Sequence, residues 1–460
     1  MISRQMSGGG RGHESAVMKA NVVKPATGFL LQPPWNGMTL PGLLSGAATL
    51  RADAPFLVDA ENVEPLAHRP QCKLSCSSLK GEVERFARQM LSLGLHPGEV
   101  VILHLPNTTE AVIALLGVQA AGGIPAPAPI FDDVEALRAF IELTNAAAMV
   151  SMGVFAGLHL AEKCREAAAT SLSVRFLAAT GNDLPGGVIG LDDWGDDDFD
   201  ENTPLPALKG NAPALITFDK ATGMRRALLR THEQIIADAA TAAALTRAHV
   251  GSRLLVTIPP STIAGVVYAV ALPLLSGAVV ELTALFDSCS FIAQLDDGVS
   301  TAVVLPACSE TAFLATCAMR SIRVESLVLV HRPDTGATLP VFSASSLDIR
   351  MADAICLGEG VLSLAVRAKA ETFACLPQRA IHPVPGLMLA NTVQLELALG
   401  ANGTLHASGP LAPQVYAGAS PKKAASPRNP GRLTTGFSGS LQNGDSIRLG
   451  PASAAMESAA

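Results

Sequence analysis

Apolar positions recur at helical spacing over 78–93, 108–121, 134–144 and 157–169, and short apolar runs at 99–105, 124–126, 148–150 and 174–179 lie between and after them. The alternation resumes with helices at 232–246, 263–275 and 288–296 and strands at 253–257, 278–282 and 301–305. Such a pattern predicts an α/β chain of parallel-rich sheets flanked by helices. A Gly/Asp/Pro-rich linker at about 181–212 divides this core, 35–382, into two sheet subdomains. From 383 to 450, short strands separated by Gly, Pro and Asn predict a small β-rich subdomain.

The span Leu254–Val280 carries no charge and is long enough to cross a bilayer. Pro259, Pro260, Gly265, Pro273 and Gly277 cut it into pieces, so a buried strand-helix-strand unit is expected rather than a membrane span. Residues 1–34 begin Gly-rich without a continuous apolar run and read as a mobile leader; 451–460 reads as a frayed tail.

A net charge of −7 without a dense basic run, with two Trp and two Tyr, argues against nucleic acid as a partner. Of eight cysteines, only Cys72 and Cys76 are closely spaced, and no second pair at metal-ligand spacing accompanies them. Free buried thiols in a reducing cytoplasm are the expected state.

Residues 213–232 carry the most chemistry and read as a strand, an anion loop and a helix start. Thr222 and Gly223 keep the character of a phosphate loop, in which small residues let backbone N–H groups converge on an anion. Lys220, Arg225 and Arg226 add cations on side chains, while Asp219 would repel a phosphate. An ordinary basic turn is the competing reading.

This stretch resembles the loop of the adenylate-forming, AMP-dependent synthetase/ligase superfamily, with Thr222-Gly223 and Thr231-His232 matching and Arg226 at the usual Lys position. Leu105-Pro106-Asn107, Ala121-Gly122-Gly123-Ile124-Pro125 and Gly400 to Pro410 resemble further signatures of that superfamily, in order, over about 35–450. Leu357-Gly358-Glu359-Gly360-Val361-Leu362 resembles the aryl acid branch, which activates salicylate or 2,3-dihydroxybenzoate in siderophore pathways. The resemblance implies the fold of the superfamily's large N-terminal domain, and ATP with Mg²⁺ as cofactors. It also implies a small carboxylic acid as ligand, with a carrier protein or a separately encoded small domain as further partners.

Carried over by position, Glu359 and Arg226 are the catalytic candidates and Glu359 is also the metal-associated residue, with a capping role as its alternative. Thr222, Gly223, Arg225, His232, Gly358, Gly360, Thr435 and Gly436 would line the nucleotide. Departures are equally specific. Phe437 stands where the superfamily has an Asp that accepts from both ribose hydroxyls, and His331-Arg332-Pro333 replaces a small-residue turn against adenine. The superfamily's C-terminal small domain has no counterpart before Ala460. Two readings follow: a ligase-like protein related to enzymes that make acyl-adenylates, weakly active or inactive as a single chain, or a disabled homologue that binds an acid or a carrier, or acts as a scaffolding subunit.

Overall fold

The computed structural model describes residues 37–192, 203–221, 224–295, 301–334, 348–367, 375–381, 393–400, 402–416, 432–442 and 446–450. The leader, the tail, and the positions Thr222 and Gly223 lie outside them.

The first sheet has five parallel strands in the order Ile124–Pro127, Val100–His104, Ala148–Met152, Phe176–Thr180, Ile189–Gly190. Helix Cys76–Ser92 starts behind Ser75, whose hydroxyl accepts from the Ser78 N–H at 3.2 Å, and buries Leu79, Val83, Phe86 and Met90 on one face. That spacing is the helical stripe seen in the sequence. It packs on Thr109–Ala120, which is buried almost all round.

The second sheet has eight strands. Pro55–Val58, Val279–Leu282, Arg253–Val256, Thr301–Pro306, Ser326–His331 and Arg350–Leu357 run parallel, with Lys73–Ser75 and Val361–Val366 antiparallel at the edges. The uncharged span is, as expected, strand, helix and strand, and no helix among the described residues is long and apolar enough to cross a membrane. Its helix widens into a π-turn over Val267–Ala271, where the Leu272 N–H reaches back five residues to the Val267 carbonyl. Pro273, the next residue, has no N–H to continue an ordinary α ladder. At Gly265 the helix approaches the preceding loop so closely that a Cβ would lie 1.8 Å from the Pro259 carbonyl oxygen.

In both sheets the chain winds first to one side and then to the other. From Val100–His104 it passes to Ile124–Pro127 and then back to Ala148–Met152; from Arg253–Val256 it passes to Val279–Leu282 and then to Thr301–Pro306. Each reversal leaves a crevice at the carboxyl ends of the strands, where ligands of open α/β sheets bind. Asn107 joins the two sheets there: its amide donates to the carbonyls of Val256 at 3.2 Å and Thr283 at 3.0 Å.

One element differs from the sequence reading. Met224–Thr231 is not a loop leading into a helix but a strand, paired antiparallel with Pro213–Ala221 so that Asp219 faces Arg226 and Thr217 faces Leu228. Arginines at 225, 226 and 230 disguise it, because a buried Arg is tolerated only where tertiary partners satisfy it. The expected helix then begins at His232, capped by Thr231 and Gln234 in a reciprocal box. A six-stranded antiparallel sheet, from Cys375–Pro377 to Ser446–Leu449, forms the β-rich part.

His104 ends its strand fully buried; among the described residues neither ring nitrogen has a partner in good hydrogen-bond geometry, and the Ala128 backbone offsets its burial only in part. Burial, and then the nearby Lys163 charge, hold its pKa down at about 4. The unfolded chain takes up this proton near 6.5 and the folded one only near 4, so stability should fall as pH drops through that window. His104→Leu, which replaces two buried, poorly partnered nitrogens by apolar atoms, should be stabilised by about 1 kcal/mol. Its melting temperature should depend less on pH between about 4 and 6.5 than that of the unaltered chain. Thermal melts across this range check both.

Candidate functional site

A cleft of about 520 Å³ opens at the reversal point of the eight-stranded sheet. Thr257, Pro259 and Thr262 line it from beyond Arg253–Val256, Cys308 from beyond Thr301–Pro306, and Val330 and Arg332 from the end of Ser326–His331. Its size and mostly apolar wall, with a few polar groups, suit a small organic ligand.

Glu359 sits behind this wall in the turn between Arg350–Leu357 and Val361–Val366. Its side chain is 3% exposed. One carboxylate oxygen accepts from Arg332 at 2.5 Å, and the other from the Ile263 N–H, at the start of the helix, at 2.7 Å. A negative charge at a helix N-terminus meets the positive end of the helix dipole. Burial raises the Glu359 pKa, with Arg332 and the Ile263 N–H pulling it back. Glu359 therefore does cap a helix, but from inside the protein rather than from the surface.

The hairpin braces the turn from below. Arg230, fully buried, donates to the Thr217 hydroxyl at 3.2 Å and to the Glu359 carbonyl at 2.5 Å. Arg226 binds Asp219 at 2.8 Å and the Thr434 carbonyl at 2.6 Å. The Asp219 carboxylate lies against Gly358, whose φ is +57°; a Cβ there would meet its oxygen at 2.4 Å. Glycine answers both the left-handed backbone and the contact. A Cβ on Gly360 would likewise lie 2.7 Å from the side chain of Leu433 in the β-rich sheet.

Fold and chain reversal thus gather Arg226, Gly358, Glu359, Gly360 and Thr435 around one turn. Thr435 is fully buried, its hydroxyl donating to the Leu405 carbonyl and accepting from the Phe437 N–H, while Gly436 bends the strand at φ +82°. Phe437 belongs to the apolar core. Replacing it with Asp would bury a carboxylate there rather than restore a ribose acceptor. Arg225 lies 5.4 Å over the Phe140 ring, away from the cleft. His232 accepts from the Leu40 N–H at 3.3 Å, is almost wholly buried, and is kept neutral by burial, with a pKa near 4. These two positions are structural in their contacts. Arg332 and Arg230 were missed as site residues: Arg332 stood out only as part of the bulky His331-Arg332-Pro333 turn, and Arg230 only as one of three arginines in 224–231.

Helix-flanked parallel sheets, the β-rich sheet and a cleft at the strand ends define the large N-terminal domain of an adenylate-forming enzyme. The chain belongs to the AMP-binding enzyme family, whose model it matches over residues 45–318. It is 28% identical over 307 residues to the salicyl-AMP ligase / salicyl-S-ArCP synthetase of Mycobacterium tuberculosis, covering 65% of this chain and 52% of that protein. The fold is similar to apo MbtA of Mycobacterium smegmatis, with a TM-score of 0.65 at 19% identity over 90% of this chain and 76% of the other. It is similar also to the N-terminal domain of FACL13 from Mycobacterium tuberculosis, at 0.62 and 14% over 89% and 99%. The aryl-acid likeness of the Glu359 turn agrees with these findings. The chain spans about half the length of the curated relatives it matches.

Enzymes of this family use ATP, typically with Mg²⁺. The described residues do not fit that pair as they stand. Both oxygens of Glu359 are engaged in internal hydrogen bonds. Asp219 occupies the backbone approach at Gly358, and Phe437 is buried in the apolar core.

Asp238, on the helix above the hairpin, is wholly buried, and burial raises its pKa to about 7 against the opposing pull of Arg230. Between about 3.8 and 7 the unfolded chain has lost a proton that the folded chain keeps, so this group's contribution falls as pH rises through that window. Asp238→Asn should therefore gain in melting temperature relative to the unaltered chain from pH 4 to pH 8. A difference that stays constant across paired calorimetric scans would exclude this account.

Proposed function

We propose that the chain is an AMP-dependent synthetase/ligase-like protein whose cleft takes a small aryl or acyl carboxylic acid, and that by itself it forms acyl-adenylate weakly or not at all. One observation carries this reading: the apolar cleft at the sheet reversal is open, whereas the groups that would meet a metal-bound nucleotide are spent on internal contacts. The similarity to a salicyl-AMP ligase favours an aryl acid. Protein partners would be a carrier protein or a separately encoded small domain. The seven cysteines whose side chains are described are unpaired, as in a reducing compartment, and we place the protein in the cytoplasm.

The same observation favours a second reading, in which a homologue without catalysis acts as an acid-binding, carrier-binding or scaffolding subunit. ATP–pyrophosphate exchange with salicylate, 2,3-dihydroxybenzoate, benzoate and medium-chain fatty acids tests the first. Little exchange is expected from this chain alone. Turnover in the ordinary enzyme range, about 1–10³ per second, would overturn the impaired reading.

A further inference from the structure

We propose that Arg332 takes the place of the divalent cation at Glu359, and that its guanidinium binds the carboxylate of the acid in the cleft without metal or nucleotide. The inference rests on the acid-cleft reading above and adds the group that does the recognising.

Three observations meet here. Arg332 lines the cleft, its side chain is 49% exposed, and it donates to a buried Glu359. A guanidinium carries five donors in a planar fork, and Arg332 makes one hydrogen bond to the described residues. The remaining edge is free to take a carboxylate in the bidentate geometry that Arg favours. Glu359 is held in turn by the Ile263 N–H, so it is a positioning residue that fixes where the guanidinium points.

Charge supports the same ligand. Arg230 and Arg332 place two positive charges around the single negative charge of Glu359. Burial raises the pKa of Asp238, the next acid beside Arg230, to about 7, so it carries only part of its charge near neutral pH. Asp219 is already paired with Arg226. The surplus is positive and at most about one charge, which a monocarboxylate cancels and a polyphosphate would exceed several-fold. A metal ion would have to displace Arg332 and then share Glu359 with the helix N-terminus, whose dipole disfavours a cation.

Calorimetric titration of the full chain with benzoate and with its neutral isostere benzamide, in EDTA and again in excess Mg²⁺, tests the proposal. Benzoate should bind with the same affinity in both buffers, and more tightly than benzamide. Arg332→Gln should weaken benzoate by roughly 10- to 150-fold, the value of a charge-assisted hydrogen bond of about 1.5–3 kcal/mol, and leave benzamide nearly unchanged. Should that variant fail to fold because Glu359 is stranded, Arg332→Gln with Glu359→Gln removes both charges together and must lose the same preference. A benzoate site that needs Mg²⁺, or a variant that still prefers benzoate, overturns the role of Arg332 while leaving the acid cleft standing. If neither ligand binds the unaltered chain at millimolar concentration, the acid-cleft reading fails and this proposal with it.

Discussion

The carboxylate of Glu359 is the interaction on which the rest of the site depends. Taking a charge out of water costs several kcal/mol unless partners replace the lost solvent. Here an N–H at the start of the Ile263 helix and the guanidinium of Arg332 supply those partners, and the Glu359 carbonyl receives a third donor, Arg230. One residue thereby links the edge hairpin of the large sheet, the core helix, the cleft wall and the antiparallel hairpin 213–231. Removing any one partner leaves a buried polar group unmatched, so the geometry of the turn is over-determined.

That geometry explains why features that resemble a nucleotide site are arranged otherwise. Arg226 stands where a phosphate-binding Lys is usual, yet it is turned toward Asp219 and a backbone carbonyl. Asp219 in turn fills the space above Gly358 that a bare backbone would offer an anion. The acidic substitution and the basic one compensate each other, which accounts for their presence together on paired positions of the hairpin.

The cleft itself follows from topology. Two sheets each reverse direction, and Asn107 ties their carboxyl-end loops by donating to Val256 and Thr283. Buried beside it, the His331–Asp353 contact at 2.8 Å and the Arg367 contacts to Asp353 fix the strand end that carries Arg332. Burial alone would raise the pKa of Asp353, but Arg367 and His331 outweigh it and hold the carboxyl below its ordinary range.

By itself the sequence determined the alternation of helices and strands. It also determined the burial of the 254–280 unit and the motif order that resembles one superfamily, because hydrophobic period, Gly/Pro punctuation and caps act over a few residues. It marked Glu359, Gly358 and Gly360 as a group only through the resemblance of 357–362 to the aryl acid branch. Only the tertiary structure decided that 224–231 is a strand, that His232 and Phe437 serve packing, and that Arg332 meets Glu359. These outcomes turn on pairs 7 to 192 residues apart, such as Asp219 with Arg226 and Leu40 with His232. The energy of a charge is set by what the folded chain brings beside it, and no local pattern encodes that.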